Sequence, residues 1–246
     1  MKAILTVLYK IYSFTIALPL FVIVTIFVAT SVIIAALFGD VNTVSYYLPR
    51  FWSKCACRFF LLKVEVEGRE NIKKEESYVF LPNHQGYYDI FLMYGYLGHN
   101  FKWMMKEYLK KIPLVGYACY KSNQIYLADG ISGISKAVQQ ARETLKGGMS
   151  MVIFPEGTRT KTGKMNPFKR GSFMLANEIG LPIVPITING SFDCFSRHAK
   201  SVSLGTLKLT IHKPITQEER QGKSSKVIMQ EVFDIINGSL DEKYKQ

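Results

Sequence analysis

Val79-Phe80-Leu81-Pro82-Asn83-His84-Gln85-Gly86-Tyr87-Tyr88-Asp89 is the stretch whose reading decides the fold. An apolar run ends at Pro82 and reads as a buried strand. A polar loop follows, and a helical pattern opens near Asp89. Strand, loop and helix in that order form the repeating unit of an α/β chain. The loop also carries an imidazole and a carboxylate five residues apart. Inside one regular helix that spacing turns the two side chains away from each other. They meet if His84 lies in the loop and Asp89 in the first helical turn. Asp89 then accepts from one ring nitrogen and fixes the tautomer. The other nitrogen is left to take a proton from a substrate hydroxyl.

Strand-like and helix-like segments alternate from residue 63 onward. Strands are expected over 63–67, 78–81, 101–105, 124–127, 149–154, 183–188 and 206–212. Helices are expected over 89–97, 131–146, 172–179 and 226–240. The 131–146 segment places Ile131, Ile134, Val138 and Leu145 at helical spacing and stops at Gly147-Gly148. Gly98 and Gly180 are similar stop signals. The pattern predicts an α/β domain: a mixed, mostly parallel sheet of about seven strands, flanked by helices. The polar tail 241–246 is expected to fray.

The N-terminus is of a different kind. Residues 11–38 carry no charged side chain. As a helix this run is roughly 42 Å long, more than the ~30 Å hydrocarbon core of a bilayer. Lys2 and Lys10 precede it, and Arg50, Lys54 and Arg58 follow it. The apolar region is too long for a signal peptide. Two readings stand. One is a spanning helix, tilted or kinked at Pro19. The other is a helix pair that enters one leaflet and returns, with Gly39-Asp40 as the turn. Basic residues on both flanks favour the pair. Residues 41–62 mix Tyr46, Tyr47, Phe51, Trp52, Phe59 and Phe60 with the three basic residues, a composition suited to the headgroup level. The expected division is therefore a membrane-binding helical motif over 1–62 and an α/β catalytic domain over 63–246.

Lys and Arg number 31 against 19 Asp and Glu, a net charge of +12 in 246 residues. Such an excess attracts polyanions. No nucleic-acid motif accompanies it, and the apolar N-terminus points to a membrane surface instead. Cys55, Cys57, Cys119 and Cys194 lack zinc-type spacing and read as reduced thiols. The His, Asp and Glu residues lack ligand spacing too, so no metal is expected.

A second stretch carries chemistry. Met151-Val152-Ile153 reads as a buried strand, and Phe154-Pro155-Glu156-Gly157-Thr158-Arg159 follows it. Together with Asn83-His84 and Asp89, this segment resembles the glycerolipid acyltransferase family, and within it the bacterial 1-acyl-glycerol-3-phosphate acyltransferases. The resemblance runs over residues 60–215. It implies transfer of an acyl group to a lysolipid hydroxyl, giving phosphatidic acid. The donor it implies is a thioester of acyl carrier protein or coenzyme A, with no other cofactor. It also implies an N-terminal two-helix membrane motif, and hence membrane lipids and a lysophospholipid as partners at the cytoplasmic face of the inner membrane.

On this reading His84 is the general base and Asp89 orients it; no serine or cysteine stands in a nucleophile's context. Arg159 is the main phosphate ligand, because guanidinium offers a rigid fork to a phosphomonoester. Gly157 lets backbone approach the ligand, Thr158 adds a donor, and Glu156 accepts from a glycerol hydroxyl or holds Arg159. Asn83 belongs with the same substrate-binding set. Lys106 and Lys169 are further candidate phosphate ligands, Lys169 because it lies before a helix start. Leu181 to Ile186 resembles a further family block and offers apolar side chains to an acyl chain. One departure stands out. Where the family usually has Asp-Arg, this chain reads Ala128-Asp129-Gly130. A lyso-aminolipid acceptor and a phospholipid transacylase therefore stay open as alternatives. A non-enzymatic basic membrane-binding protein also stays open, though it leaves His84, Asp89 and 154–159 unexplained.

Overall fold

The computed structural model describes residues 2–39, 41–128, 131–145 and 148–246. It opens with a long apolar helix in three parts: α1 (Lys2–Tyr12), a π-helical turn (Ser13–Ala17) and α2 (Leu18–Leu37). α3 (Val41–Phe59) then doubles back along it. The chain continues through β1 (Lys63–Glu67), β2 (Val79–Pro82), α4 (Tyr88–Tyr96) and β3 (Phe101–Lys106). Next come α5 (Val115–Lys121), β4 (Ile125–Leu127), α6 (Ile131–Thr144) and β5 (Ser150–Val152). It then runs through α7 (Arg170–Ile179), β6 (Ile183–Asn189), α8 (Ser191–Phe195) and β7 (Thr206–Ile211). α9 (Gln217–Arg220) and α10 (Ser225–Gly238) complete the fold.

The seven strands form one sheet in the order β1-β7-β6-β2-β5-β3-β4. Every neighbouring pair is parallel except β6 with β7. The expected mixed, mostly parallel seven-stranded sheet is what forms. β2 lies at its centre, fully buried, which is why its sequence is apolar at every position rather than alternating. Successive residues still serve opposite faces. Val79 and Leu81 join the core under α6, α7 and α10, with Ile153, Phe173 and Val232. Phe80 joins the core under α3 and α4, with Leu92, Met93 and Val184.

β5 stops at Val152, short of the expected 149–154, because Ile153 and Phe154 leave the ladder to begin the loop that carries Glu156. The stop expected at Gly147-Gly148 and the turn expected at Gly39-Asp40 each include a position outside the described residues. The C-terminal tail does not fray as expected. Tyr244 is buried and donates to Asp193 Oδ1 at 2.6 Å, while Gln246 Nε2 donates to the Met165 carbonyl at 2.7 Å.

The helical hairpin is tied to the domain. Trp52 Nε1 donates to Thr25 Oγ1 at 2.8 Å, joining α3 to α2. Val28, Ala29 and Val32 of α2 pack against Ala118 of α5. The outer face of the first helix is bare and apolar, with Ile4, Ile23, Phe27 and Phe38 exposed. Ala3–Leu37 is long and apolar enough to cross a membrane. The irregularity expected at Pro19 falls one turn earlier, in the π-helical segment. Pro19 has no N–H to give, and the widened turn before it absorbs the missing bond.

Lys102 links the hairpin to the sheet. It is 1% exposed, and its Nζ donates to Ser45 Oγ of α3 at 3.2 Å and to the Ser122 carbonyl at 2.8 Å. Burial pushes its pKa down to about 8. Between there and the ordinary lysine value the unfolded chain binds the more protons, so stability rises with pH. Lys102→Met is expected to remove that rise, roughly 3 kcal/mol between pH 7 and pH 10.5. Denaturant unfolding of both proteins at the two pH values measures it, and parallel curves would refute it.

Candidate active site

Parallel strands deliver their following loops to one edge of a sheet, and ligands bind there. β2, β5, β3 and β6 all end at this edge, with β2 beside both β5 and β6. The loop after β2 holds His84 and the loop after β5 holds residues 154–159. The two are neighbours although 70 positions separate them in sequence, because β5 is hydrogen-bonded to β2.

His84 Nδ1 lies 2.6 Å from Asp89 Oδ2. The same oxygen accepts from the Gly86 N–H at 2.9 Å. Asp89 is wholly buried in the first turn of α4, and its other oxygen, Oδ1, has no partner among the described residues. The carboxylate therefore fixes Nδ1 as the protonated nitrogen and leaves Nε2 as the free base. The imidazole stacks flat on Phe154, with centroids 3.7 Å apart and planes inclined by 13°. Phe154 stacks in turn on Trp103. The ring is thus clamped on one face and bonded at one edge. Gly86 is required by close approach: a Cβ there would sit 2.5 Å from the Ser191 carbonyl oxygen and 2.8 Å from that of Phe195.

Glu156 is the joint between the two loops. It is 2% exposed, and its Oε1 accepts from the His84 N–H at 2.6 Å while Oε2 accepts from the Asn166 N–H at 2.7 Å. The Thr160 N–H donates back to the His84 carbonyl at 2.9 Å. Burial pushes the Glu156 carboxyl up to about 8, against the pull of the two backbone donors and with the Asp89 charge adding to the rise. Its expected contact with substrate is corrected: both carboxyl oxygens are buried on backbone donors, and among the described residues neither pairs with Arg159. Asn83 is corrected in the same way. It is fully buried, donating through Nδ2 to the Ile188 carbonyl at 3.0 Å and accepting at Oδ1 from the Ile188 N–H at 2.7 Å. It straps the end of β2 to β6 and exposes no surface to a ligand.

The cations are placed as follows. The Arg159 guanidinium lies over the Tyr87 ring, 3.7 Å from its centroid. Gly157 has φ +68, and the Lys169 side chain crosses the space a Cβ would fill, its Nζ 2.8 Å from that point. Lys169 caps α7 and is tied to the same loop by its N–H to the Pro155 carbonyl, 2.8 Å. Thr158 accepts at Oγ1 from Arg197 Nη1 at 3.4 Å. Among the described residues none of Arg159, Lys169, Arg197 and Lys106 has a carboxylate partner. Lys106 ends β3, exposed, with its Nζ 6.0 Å from the centre of the Tyr108 ring. It shares the edge, but no described contact joins it to the other loops. Ala128 ends at the same edge after β4, and Asp129 lies outside the described residues.

Sequence reading missed Phe154 as the platform for His84, Tyr87 as the seat of Arg159, and Arg197. Tyr87 and Phe154 lie inside the two motifs and were visible there as aromatic neighbours of charged groups. Arg197 gave no signal, because it arrives from the segment after α8. Among the described residues no three His, Cys, Asp or Glu side chains gather around a possible metal position. A base with its tautomer fixed, beside unpaired cations, is equipped to deprotonate a hydroxyl on an anionic substrate.

The chain is similar to known proteins in sequence and in fold. The acyltransferase family profile matches residues 63–189. A chloroplastic 1-acyl-sn-glycerol-3-phosphate acyltransferase of Brassica napus is 31% identical over 69% of this chain and 50% of its own. The chloroplastic counterpart from Arabidopsis thaliana is 30% identical over 80% of this chain and 54% of its own. The chain thus spans about half the length of these relatives. The crystal structure of the 1-acyl-sn-glycerophosphate acyltransferase of Thermotoga maritima superposes with a TM-score of 0.79 at 25% identity, covering 96% of this chain and 95% of that one.

Proposed function

The chain belongs to the acyltransferase family, and from that premise we propose that it moves a fatty acyl group from a thioester to the free hydroxyl of 1-acyl-glycerol-3-phosphate, giving phosphatidic acid. The observation that carries this reading is His84, oriented by Asp89 and joined through its own loop to the loop of an unpaired Arg159. The names of the relatives support the acceptor.

In the proposed reaction the acceptor's phosphate lies against Arg159, with Lys169 and Arg197 near. This brings its hydroxyl to His84 Nε2. The imidazole takes the hydroxyl proton as the oxygen attacks the thioester carbonyl, and Asp89 stabilises the imidazolium that forms. The tetrahedral intermediate collapses, the carbon–sulfur bond breaks, and the proton passes from His84 to the leaving thiolate. Transfer is direct, without an acyl-enzyme. The apolar outer face of the first helix seats the protein in a membrane, where the lysolipid is found. The net charge of +12 draws an acidic donor such as acyl carrier protein to the same surface.

The test is transfer by detergent-solubilised protein from labelled acyl carrier protein thioester to a panel of lysolipids. Acylation of lysophosphatidic acid well above lyso-aminolipids is expected, with coenzyme A thioester as the comparison donor. Preference for a zwitterionic acceptor, or transfer from phospholipid with no thioester present, would overturn the assignment.

A further inference from the structure

A cavity lies beside the His84 loop, on the side of the hairpin. It encloses about 280 Å³ between the π-helical turn, α3, α4 and the segment after α8. Phe21, Phe60, Phe91 and Val202 supply apolar walls. Phe14 and Leu18 line it too, yet both are also exposed on the outer face of the first helix. The opening therefore faces the side that the helix offers to a bilayer.

Two features tie this hollow to the chemistry. Tyr87 and Tyr88 form part of its lining, and Tyr88 adjoins Asp89 in α4. The Tyr87 ring that borders the cavity is the ring that carries Arg159. One aromatic ring thus borders both the apolar space and a cation that has no carboxylate partner among the described residues. Ser13 also lines the cavity, with its hydroxyl buried and turned toward that of Tyr9. Exposed Lys200 also lines the cavity.

We infer that this cavity seats the acyl chain the acceptor already carries, with the acceptor's phosphate on the far side of Tyr87 at Arg159. The inference rests on the reading that the acceptor is a lysolipid phosphate. In such a molecule phosphate and chain hang from opposite ends of one three-carbon unit, so a cation and an apolar hollow separated by a single ring match its two ends. The occupant is the acceptor's chain rather than the donor's because of the entrance. A chain lying in a bilayer reaches the mouth past Phe14 and Leu18 without crossing water. A donor on a soluble carrier arrives from the aqueous side.

Acceptors that stay monomeric in water separate the possibilities. With 1-butyryl-, 1-octanoyl- and 1-decanoyl-glycerol-3-phosphate, KM is expected to fall as the chain lengthens, by at most about fourfold per methylene. Ala56→Leu and Val202→Phe each fill the cavity. They are expected to raise KM for the decanoyl acceptor at least tenfold, and to leave kcat and KM for the butyryl acceptor within twofold. The chain-length profile of the donor is expected to stay as it was. Equal changes for all acceptors, or no change for the decanoyl one, would overturn the inference. A shift in the donor profile would overturn it in favour of the donor's chain.

Binding gives a readout free of turnover. Trp52 stacks on Phe21 and lies 4.7 Å from Phe91, both cavity residues. In a Trp103→Phe background, lysophosphatidic acid with a brominated chain is expected to quench Trp52 emission, and the Val202→Phe variant to lose that quenching. Quenching without transfer to any acceptor would retain the cavity assignment and remove the proposed reaction. Transfer without quenching would do the reverse.

Discussion

His84→Ala is expected to lower kcat by about 10²–10⁴-fold, the range a positioned general base contributes. Binding of the lysolipid is expected to survive, because the proposed phosphate ligands come from the loop after β5 and the segment after α8, not from the His84 loop. The substitution does more than remove a base. It leaves the buried Asp89 carboxylate with the Gly86 N–H as its remaining partner and strips Phe154 of its stacking ring. Some loss of stability, roughly 1–3 kcal/mol, is expected alongside. His84→Gln serves as a second variant, keeping a polar side chain of similar reach without a titrating base. Both are measured as kcat at saturating acceptor, with thermal unfolding to show that the chain is folded. Turnover within tenfold of the parent in a folded variant would remove His84 from the role of base.

Glu156→Gln is expected to rank second, with kcat lowered about 100-fold although the side chain touches neither substrate nor the imidazole. Glu156 accepts one backbone N–H at each oxygen, from His84 and from Asn166. A carboxyl accepts at both oxygens even when one carries a proton, whereas a glutamine nitrogen only donates, so one of those N–H groups must face an N–H₂. The conflict either turns the amide out or moves the His84 backbone, and a shift near 1 Å is enough to misplace the base. Loss of one buried bond costs roughly 1–3 kcal/mol of stability as well. Glu156→Asp is the informative partner: it keeps both acceptors on a shorter arm and is expected to recover part of kcat. A folded Glu156→Gln protein with normal kcat would show that the loop holds His84 without this joint.

Glu156 also shows where a motif misleads. Its place inside Phe154 to Arg159 invites a ligand-binding role, because motifs are read as lists of contacts. In the fold its carboxylate joins two loops, and Asn83 likewise straps β2 to a carbonyl and an N–H on β6. Both residues are polar, short-ranged and buried. Nothing in a linear string separates a polar group that faces a ligand from one that faces another loop. Arg197 is the converse case, a cation that reaches Thr158 from a segment with no motif at all.

The sequence alone determined what short spacing and local periodicity control. The buried strand ending at Pro82, the five-residue gap that lets Asp89 hold His84, the alternation of strands and helices and the uncharged N-terminal run all depend on near neighbours. Steric and hydrophobic preferences act at that range, and they are written in the string. The tertiary structure alone decided which loops meet. Sheet order sets β2 beside β5 and β6, and that adjacency brings Glu156 to the His84 N–H across 72 positions and Asn83 to Ile188 across 105. It also decided that Tyr244, near the C-terminus, is buried and that Tyr87 both carries Arg159 and lines an apolar hollow. Such contacts form only when distant segments close on one another, and the free energy of that closure comes from the whole core, which no single stretch of chain encodes.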